Sequence, residues 1–260
     1  MELAARKSGV SALSLKWIAI VTMFVDHTGV VCYKWLGWTE AYLRMRYIGR
    51  IAFPIFVFLL IEGFRYTRDR WAYLRNLLIF SMLSEIPFDL ALTGWDTRND
   101  TQNIFWTLSI GLLVLMSLDA LWARLERGPV SRFLRLPLSL LPIAAGLAAA
   151  EALETDYHLW GVLLVVLMFA GEEAARRYSV GQFARNIGAV VGAVLWMALY
   201  DHSHGWVIEL YGIVSAAPIL LYNGERGRYR LPKWFFYGFY PAHLLALYAL
   251  QDTLFKRLLT

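Results

Sequence analysis

The sequence is poor in cysteine and in charge, and it lacks the short motifs of several large enzyme classes. Its one cysteine, Cys32, excludes an internal disulfide and is not expected to act as a nucleophile. Only 17% of the residues are charged, against about 25% in an average soluble domain. No P-loop, dinucleotide-binding glycine fingerprint, G-x-S-x-G or H-E-x-x-H motif occurs, so the enzyme classes built on those motifs are not indicated.

Apolar residues make up 58% of the chain. A membrane-spanning helix needs about 20 mostly apolar residues, and nine segments approach that length. We therefore predict an all-α integral membrane protein with about nine transmembrane helices, or eight if one segment is re-entrant or interfacial. One compact bundle, a single domain over residues 1–260, is expected. The predicted spans are residues 16–36, 48–65, 72–92, 103–123, 134–153, 159–175, 183–200, 206–222 and 234–255.

The ends of these segments predict the orientation. Lys and Arg are enriched in the cytoplasmic loops of membrane proteins. With the N-terminus inside, most of the 25 Lys and Arg residues fall in loops that nine spans place in the cytoplasm. No leader peptide is expected to be removed, and the first helix is expected to be a signal anchor. The sixth span is expected to be interrupted early by Glu172 and Glu173.

The first predicted span, LKWIAIVTMFVDHTGVVC, carries Asp26 and His27 side by side. A strong acid near the bilayer centre costs roughly 2.5–3.5 kcal/mol on insertion scales. Such residues face each other or a water-filled cavity, and they mark functional sites by default. Because neighbours on a helix point about 100° apart, Asp26 is expected to pair with another helix, and Arg50 is a candidate partner.

Further polar residues occur at comparable depth in four other predicted spans. Glu85 and Asp89 share one helix face in SEIPFD, where Pro87 is expected to kink the helix. We interpret the whole set as a functional cluster facing a wet cavity. The alternative is a buried polar lock that holds helices together. The other members are Arg50, Gln102, Asn103, Tyr240 and His243.

Several residues keep a second interpretation. Arg50 could reach the outer membrane surface, and Glu62 could form an ion pair with Arg65 or Arg68 at the inner surface. The segment YDHSHGW has three potential metal ligands but no evident fourth. It is expected to be an outer loop without a metal, and its three residues are Asp201, His202 and His204.

Two predicted cytoplasmic loops, 65–75 and 226–233, are rich in arginine. Guanidinium groups suit phosphates, so these loops could bind an anionic, nucleotide-like cofactor. Basic inner loops are also expected from membrane topology alone. No nucleic-acid partner is expected. The candidate cofactor-binding residues are Arg65, Arg68, Arg70, Arg228 and Arg230.

Four stretches in one order carry a family resemblance: LKWIAIVTMFVDHTG, RYIGRIAFPIFVFLLIEGFRYTR, SEIPFDLAL and QNIFWTLSIGLL. They resemble the TraX family, typified by the conjugal-transfer membrane protein that N-acetylates the F-type pilin subunit. FYPAHLLALY near the end is similar more loosely. The resemblance implies an acyl-CoA-dependent (N-)acetyltransferase of a bacterial cytoplasmic (inner) membrane. Its acceptor would be an exported or membrane-anchored pilin-like protein, lipid or glycan.

The family is also similar, distantly, to multi-spanning acyltransferases that use a membrane-embedded histidine. By this resemblance, His27 or His243 deprotonates the acceptor while a carboxylate orients the ring, and Asn103 or Gln102 donates to the oxyanion. Two rivals remain, an ion-coupled transporter and a non-catalytic assembly factor for a pilus or surface polymer. The implied catalytic residues are Asp26, His27, Glu85, Asp89 and His243, and the implied substrate or oxyanion residues are Arg50, Gln102 and Asn103. Tyr240 is added to the second group because it is expected near mid-depth, as His243 is.

Overall fold

The structure is a computed structural model that describes residues 8–36, 39–93, 101–125, 131–178, 181–205, 207–229 and 231–259. The candidate residue Arg230 therefore lies outside the described residues. Within those ranges nearly all residues are helical, and there is no β-strand beyond two isolated bridges. One bridge joins Val10 to Tyr222, and the other joins Gln102 to Thr155. The prediction of an all-α fold is confirmed.

The helices follow the apolar segments of the sequence. Pro87 lacks the backbone N–H that a regular helix needs, and a π-helical turn, Asp89–Thr93, begins two residues after it. A 3₁₀ helix, Glu209–Ser215, directly precedes the short helix Ala216–Leu220. The α-helices are α1 (Ala12–Leu36), α2 (Thr39–Gly49), α3 (Ala52–Tyr66), α4 (Arg70–Phe88), α5 (Ile104–Leu125), α6 (Ser131–Ala152), α7 (His158–Tyr178), α8 (Gln182–His204), α9 (Ala216–Leu220) and α10 (Lys233–Leu259).

Six stretches of the described chain are long and apolar enough to cross a membrane, so the prediction of nine spans is confirmed only in part. The eighth predicted span is too short for a crossing, because it forms only the 3₁₀ helix and the five-residue α9. α4 and α10, with 19 and 27 residues, match the third and ninth predicted spans but are not among the stretches that are apolar enough to cross. The six stretches are Ala12–Tyr33, Thr39–Tyr66, Ile104–Leu125, Phe133–Ala152, His158–Tyr178 and Gln182–His204.

Two helical stretches differ in extent from the prediction. The second begins at Thr39 rather than at residue 48, and it continues past a turn at residues 50–51 into α3. α7 runs without the expected interruption through Glu172, which is only 1% exposed. A guanidinium nitrogen of Arg185 lies 3.8 Å from the Glu172 carboxylate. This opposite charge offsets part of the desolvation cost that led us to predict a break.

The chain packs as two compact units whose boundaries fall inside α3, α7 and α10. The first unit comprises Met1–Leu59, Leu167–Phe239 and Leu250–Thr260. In it α7 and α8 meet at Gly171 and Gly188, where an added Cβ would overlap the backbone carbonyl of the other glycine. Small residues allow such close backbone contact between membrane helices. Phe53 packs edge to face on the buried Trp196, with ring centroids 6.1 Å apart, and so joins α3 to α8.

The second unit comprises Leu60–Val166 and Tyr240–Ala249. Its central helix is α5, which packs against α4 and α6. Gly111 on α5 lies against Val165 of α7, so that an added Cβ would come within 2.9 Å of that side chain. Gly161 of α7 lies closer still to Thr107 of α5. The single-domain organisation of the whole chain stays a prediction.

Candidate functional site

Asp26, in the first unit, belongs to a buried network of charges. Its Oδ1 accepts a hydrogen bond from Arg50 Nη2 at 3.1 Å, and its Oδ2 accepts one from Arg46 Nη1. Arg50 Nη1 donates at 2.6 Å to Oε1 of Glu209 in the 3₁₀ helix. Asp26, Arg50 and Glu209 are 6%, 7% and 3% exposed. The predicted pairing of Asp26 with Arg50 is confirmed, and the alternative of a surface Arg50 is wrong.

The local backbone allows this network to form. Gly49 lies so close to the Asp26 carboxylate that a Cβ at Gly49 would overlap it. Asp201, at the end of α8, accepts the backbone N–H groups of Glu209 and Leu210 at 3.0 and 2.9 Å, which holds the start of the 3₁₀ helix. Each oxygen of Asp26 accepts from a guanidinium. The arrangement therefore favours the polar-lock interpretation of Asp26 and Arg50.

Residues 200–204 of the segment that was expected to be an outer loop are helical. Asp201, His202 and His204 lie in the last turn of α8, and Asp201 is buried. The His204 ring stacks on Tyr200 at 4.1 Å. In the part of the chain that the structure describes, no three His, Cys, Asp or Glu side chains are grouped closely enough to hold a metal ion. The turn caps the next helix instead, because the Asp201 carboxylate takes up two of its N–H groups.

The second unit contains a separate site around Glu85. Oε2 of Glu85 accepts hydrogen bonds from Asn103 Nδ2 at 2.5 Å and from the indole of Trp106 at 2.9 Å. Oε1 accepts the backbone N–H of Asn103 at 3.3 Å. Glu85 is therefore held mainly through Oε2. Asp89, four residues after Glu85, opens the π-helical turn. Both acidic side chains are half-buried, so Glu85 stays partly accessible.

Asn103 is fully buried at the start of α5, directly before its first residue. Its Nδ2 donates to the carbonyl of Ser81 at 2.8 Å as well as to Glu85, and its Oδ1 accepts the N–H of Phe105 at 3.1 Å. A primary amide has two N–H donors, and both are used here. Asn103 is thus better suited to positioning Glu85 than to the predicted oxyanion role.

His243 and Tyr240 belong to the same unit as Glu85. Both side chains are buried, at 5% and 4% exposure, and their rings lie 5.6 Å apart. Tyr240 also packs edge to face on Phe105, with centroids 5.2 Å apart. The backbone N–H of Phe105 donates a hydrogen bond to the Asn103 side chain, which in turn donates one to Glu85. The start of α5 therefore contacts both the carboxylate and the aromatic pair that contains the imidazole.

The remaining predicted site residues are distributed as follows. His27 lies in the first unit, half-buried on α1. Gln102 uses its backbone in the second unit: its N–H donates to the carbonyl of Glu154, and its carbonyl accepts the N–H of Asp156 at 2.8 Å. Arg228 is exposed in the first unit. The second unit holds Arg65, Arg68 and Arg70.

A cavity of about 590 Å³ lies in the second unit between the α3–α4 turn and the middle of α5. Arg68 and Arg70 line it, and Arg65 does not. Arg70 donates to Asp119 on α5 at 2.5 Å and to the carbonyl of Phe64 at 3.1 Å. Arg68 is exposed. The volume is typical of small-molecule sites, which range over roughly 300–1,000 Å³.

Sequence reasoning missed several of these partners. The predicted spans place residue 46 in an outer loop, although Arg46 lies only four residues before Arg50. Glu209, within an apolar segment, carries the buried-carboxylate signal that had drawn attention to Asp26. No role was predicted for Trp106 from the sequence, although an indole N–H that is withdrawn from water usually finds a hydrogen-bond acceptor.

These features define a class: a helical membrane protein with buried, mutually satisfied polar clusters in its apolar helices. The model of the family described as TraX protein matches residues 11–251, and the chain belongs to the TraX family. It is also 28% identical over 259 residues to the "Probable fimbrial assembly protein FimC, serogroup H1" of Dichelobacter nodosus, covering 94% of this chain and 96% of that one. No solved structure matches the chain.

Proposed function

We propose that this protein is a membrane-embedded acyltransferase that moves an acyl group, in the simplest case acetyl, from acyl-CoA to an amine or hydroxyl. The observation that carries the proposal is the site in the second unit. A half-buried carboxylate, Glu85, is held by Asn103 and Trp106 at the start of α5, and the buried pair of Tyr240 and His243 packs on the same helix start. TraX membership supports the reaction class through the N-acetylation that typifies the family.

The reaction would use these groups as follows. The acceptor nitrogen or oxygen bonds to the thioester carbonyl carbon while the His243 imidazole takes its proton. The carbon–sulfur bond then breaks, and the leaving thiolate takes that proton, which returns the imidazole to its neutral form. Oε2 of Glu85 is occupied by two short hydrogen bonds, whereas Oε1 has one at 3.3 Å. Oε1 would therefore hold the acceptor's N–H or O–H.

The acceptor would be exported or membrane-anchored, and a pilin-like N-terminus is the leading example. A relative that matches nearly the whole chain is named as a probable fimbrial assembly protein. An α-amino group has a pKa near 7.7–8.0 in model peptides, so its deprotonation at neutral pH is inexpensive. The bacterial inner membrane, with a cytoplasmic N-terminus, would place the basic α3–α4 turn on the side where acyl-CoA is made.

The test is acyl-CoA consumption by purified protein in detergent, with free CoA measured against amine and hydroxyl acceptors. Native protein is compared with His243→Ala, His27→Ala and Glu85→Gln, and exposed His202→Ala serves as the matched histidine control. We expect acceptor-dependent CoA release that falls at least a hundredfold in His243→Ala and Glu85→Gln. Loss in His27→Ala alone would move the base to the first unit. No release from native protein with any acyl-CoA would refute the proposal.

A non-catalytic assembly factor is the second candidate. The name of the relative favours it, as does the charge network of the first unit, where Asp26 and Arg50 already satisfy each other. This function predicts that His243→Ala lowers stability or partner capture in a protein that has no turnover to lose. Pull-down of a pilin-like partner alongside the CoA assay separates the two candidates.

A further inference from the structure

We propose that the cavity at the α3–α4 turn binds the phosphorylated nucleotide end of the acyl donor, with Arg68 contacting a phosphate and Trp71 stacking on the adenine. This inference rests on the proposed acyl-CoA function and deepens it. The cavity is bounded by residues 67–71 on one side and residues 113–120 of α5 on the other, and both sides lie in the second unit.

The charges that line the cavity single out Arg68. Arg70 is engaged by the Asp119 carboxylate at 2.5 Å, and its guanidinium lies 4.1 Å from the Phe64 ring centre. Asp69 caps α4 by accepting the N–H of Ala72 at 2.8 Å. Across the described parts of the chain, Arg68 makes no ion pair or hydrogen bond. The cavity lining thus holds two arginines and two aspartates, and Arg68 is the guanidinium that is left to contact a ligand, beside the Asp69 carboxylate. Guanidinium groups bind phosphate strongly.

Arg70 therefore has a different role from the one predicted for it. Its bonds to Asp119 on α5 and to the carbonyl of Phe64 tie the start of α4 to both neighbouring helices. Arg70 is a positioning residue that fixes the turn carrying Arg68, and it is not itself the phosphate contact.

The cavity also offers a surface for a planar base. The Trp71 side chain is 69% exposed, and Leu113 and Met116 of α5 supply an apolar wall. Aromatic side chains stack on nucleobases because both present extended π faces. The alternative role for Trp71, a membrane-interface anchor, predicts no contribution to nucleotide binding.

The position of the cavity suits a long, extended donor. Glu85 follows Arg70 by fifteen residues along α4, which is about 22 Å at 1.5 Å per residue. In a CoA thioester the pantetheine arm separates the acyl sulfur from the nucleotide. A nucleotide at the α3–α4 turn could thus present its thioester far along α4, toward Glu85.

The experiment is calorimetric titration of adenosine 3′,5′-bisphosphate into full-length protein in nanodiscs of zwitterionic lipid. Arg68→Gln is compared with Arg75→Gln, an exposed arginine of α4 that does not line the cavity. We expect Kd to rise about 10- to 100-fold in Arg68→Gln, the effect of one lost charge-assisted hydrogen bond, and to stay within twofold in Arg75→Gln. Trp71→Leu should weaken binding about tenfold, and Trp71→Phe should restore most of it.

Equal nucleotide affinities of Arg68→Gln and Arg75→Gln would refute the proposed site. Arg68-dependent binding that disappears when anionic lipid is added would also refute it, because the lipid phosphate would then be the ligand. The binding readout is independent of turnover. Arg68-dependent nucleotide binding without CoA release would leave the nucleotide site standing and remove the acyltransferase. CoA release with an unchanged KM for acyl-CoA in Arg68→Gln would support the acyltransferase and refute the nucleotide site.

Discussion

Replacing Arg50 with methionine removes the centre of the buried charge network while keeping a long apolar side chain. Arg50 is 7% exposed and pairs with Glu209 at 2.6 Å and with Asp26 at 3.1 Å. Asp26 would keep Arg46, but Glu209 would lose its guanidinium partner in a site that excludes water. Removing one partner of a buried pair typically costs about 3–5 kcal/mol. That is a large part of a total stability of roughly 5–15 kcal/mol.

The assay is equilibrium unfolding in detergent, followed by far-ultraviolet circular dichroism. Arg44→Met, in the preceding helix α2, is the matched control, because its pair with Glu40 spans 3.6 Å between side chains that are 78% and 87% exposed. We expect the control to change stability by less than about 0.5 kcal/mol. Adding Glu209→Leu to Arg50→Met should recover part of the loss, since it removes the stranded charge. If Arg50→Met and Arg44→Met destabilise equally, the polar-lock interpretation is wrong.

Three further perturbations test the packing and the second unit. Asn103→Ala should cost about 1–3 kcal/mol and lower CoA release, because Glu85 loses its 2.5 Å partner; unfolding and turnover are measured together. Gly188→Ala should destabilise by about 1–3 kcal/mol in the same unfolding assay, because its Cβ would overlap the Gly171 carbonyl. Asp201→Ala should cost about 1–2 kcal/mol through the lost cap on the 3₁₀ helix, read from its unfolding midpoint.

Each of these has an outcome that contradicts it. Gly238→Ala is the control for Gly188→Ala, because nothing lies within 4 Å of a Cβ at Gly238. Alanine normally favours a helix by about 1 kcal/mol over glycine, so the two variants should shift stability in opposite directions, and a shared sign would be evidence against backbone contact. Unchanged turnover in a folded Asn103→Ala variant would show that Asn103 does not position Glu85 for the reaction. A neutral Asp201→Ala would mean that the cap is not needed.

The local signals in the sequence were enough to predict the helices and some of their polar residues. Long apolar runs require helices in a membrane, since every backbone group must be satisfied within the segment. The cost of burying a carboxylate predicted a basic partner for Asp26, and Arg50 was the correct choice. The four-residue spacing of Glu85 and Asp89 likewise marked the region where Asn103 and Trp106 converge.

The remaining partners and the lengths of some spans depended on tertiary structure. Glu209 is 159 residues from Arg50 in sequence, and no local pattern connects two residues that only folding brings together. Glu172 stays inside α7 because Arg185 on another helix lies beside it, a compensation that hydropathy cannot register. Sequence by itself determined a helical membrane protein with costly polar residues, because burial cost and periodicity are local properties. Which polar residues meet depended on how the helices pack, because pairing is a property of contacts distant in sequence.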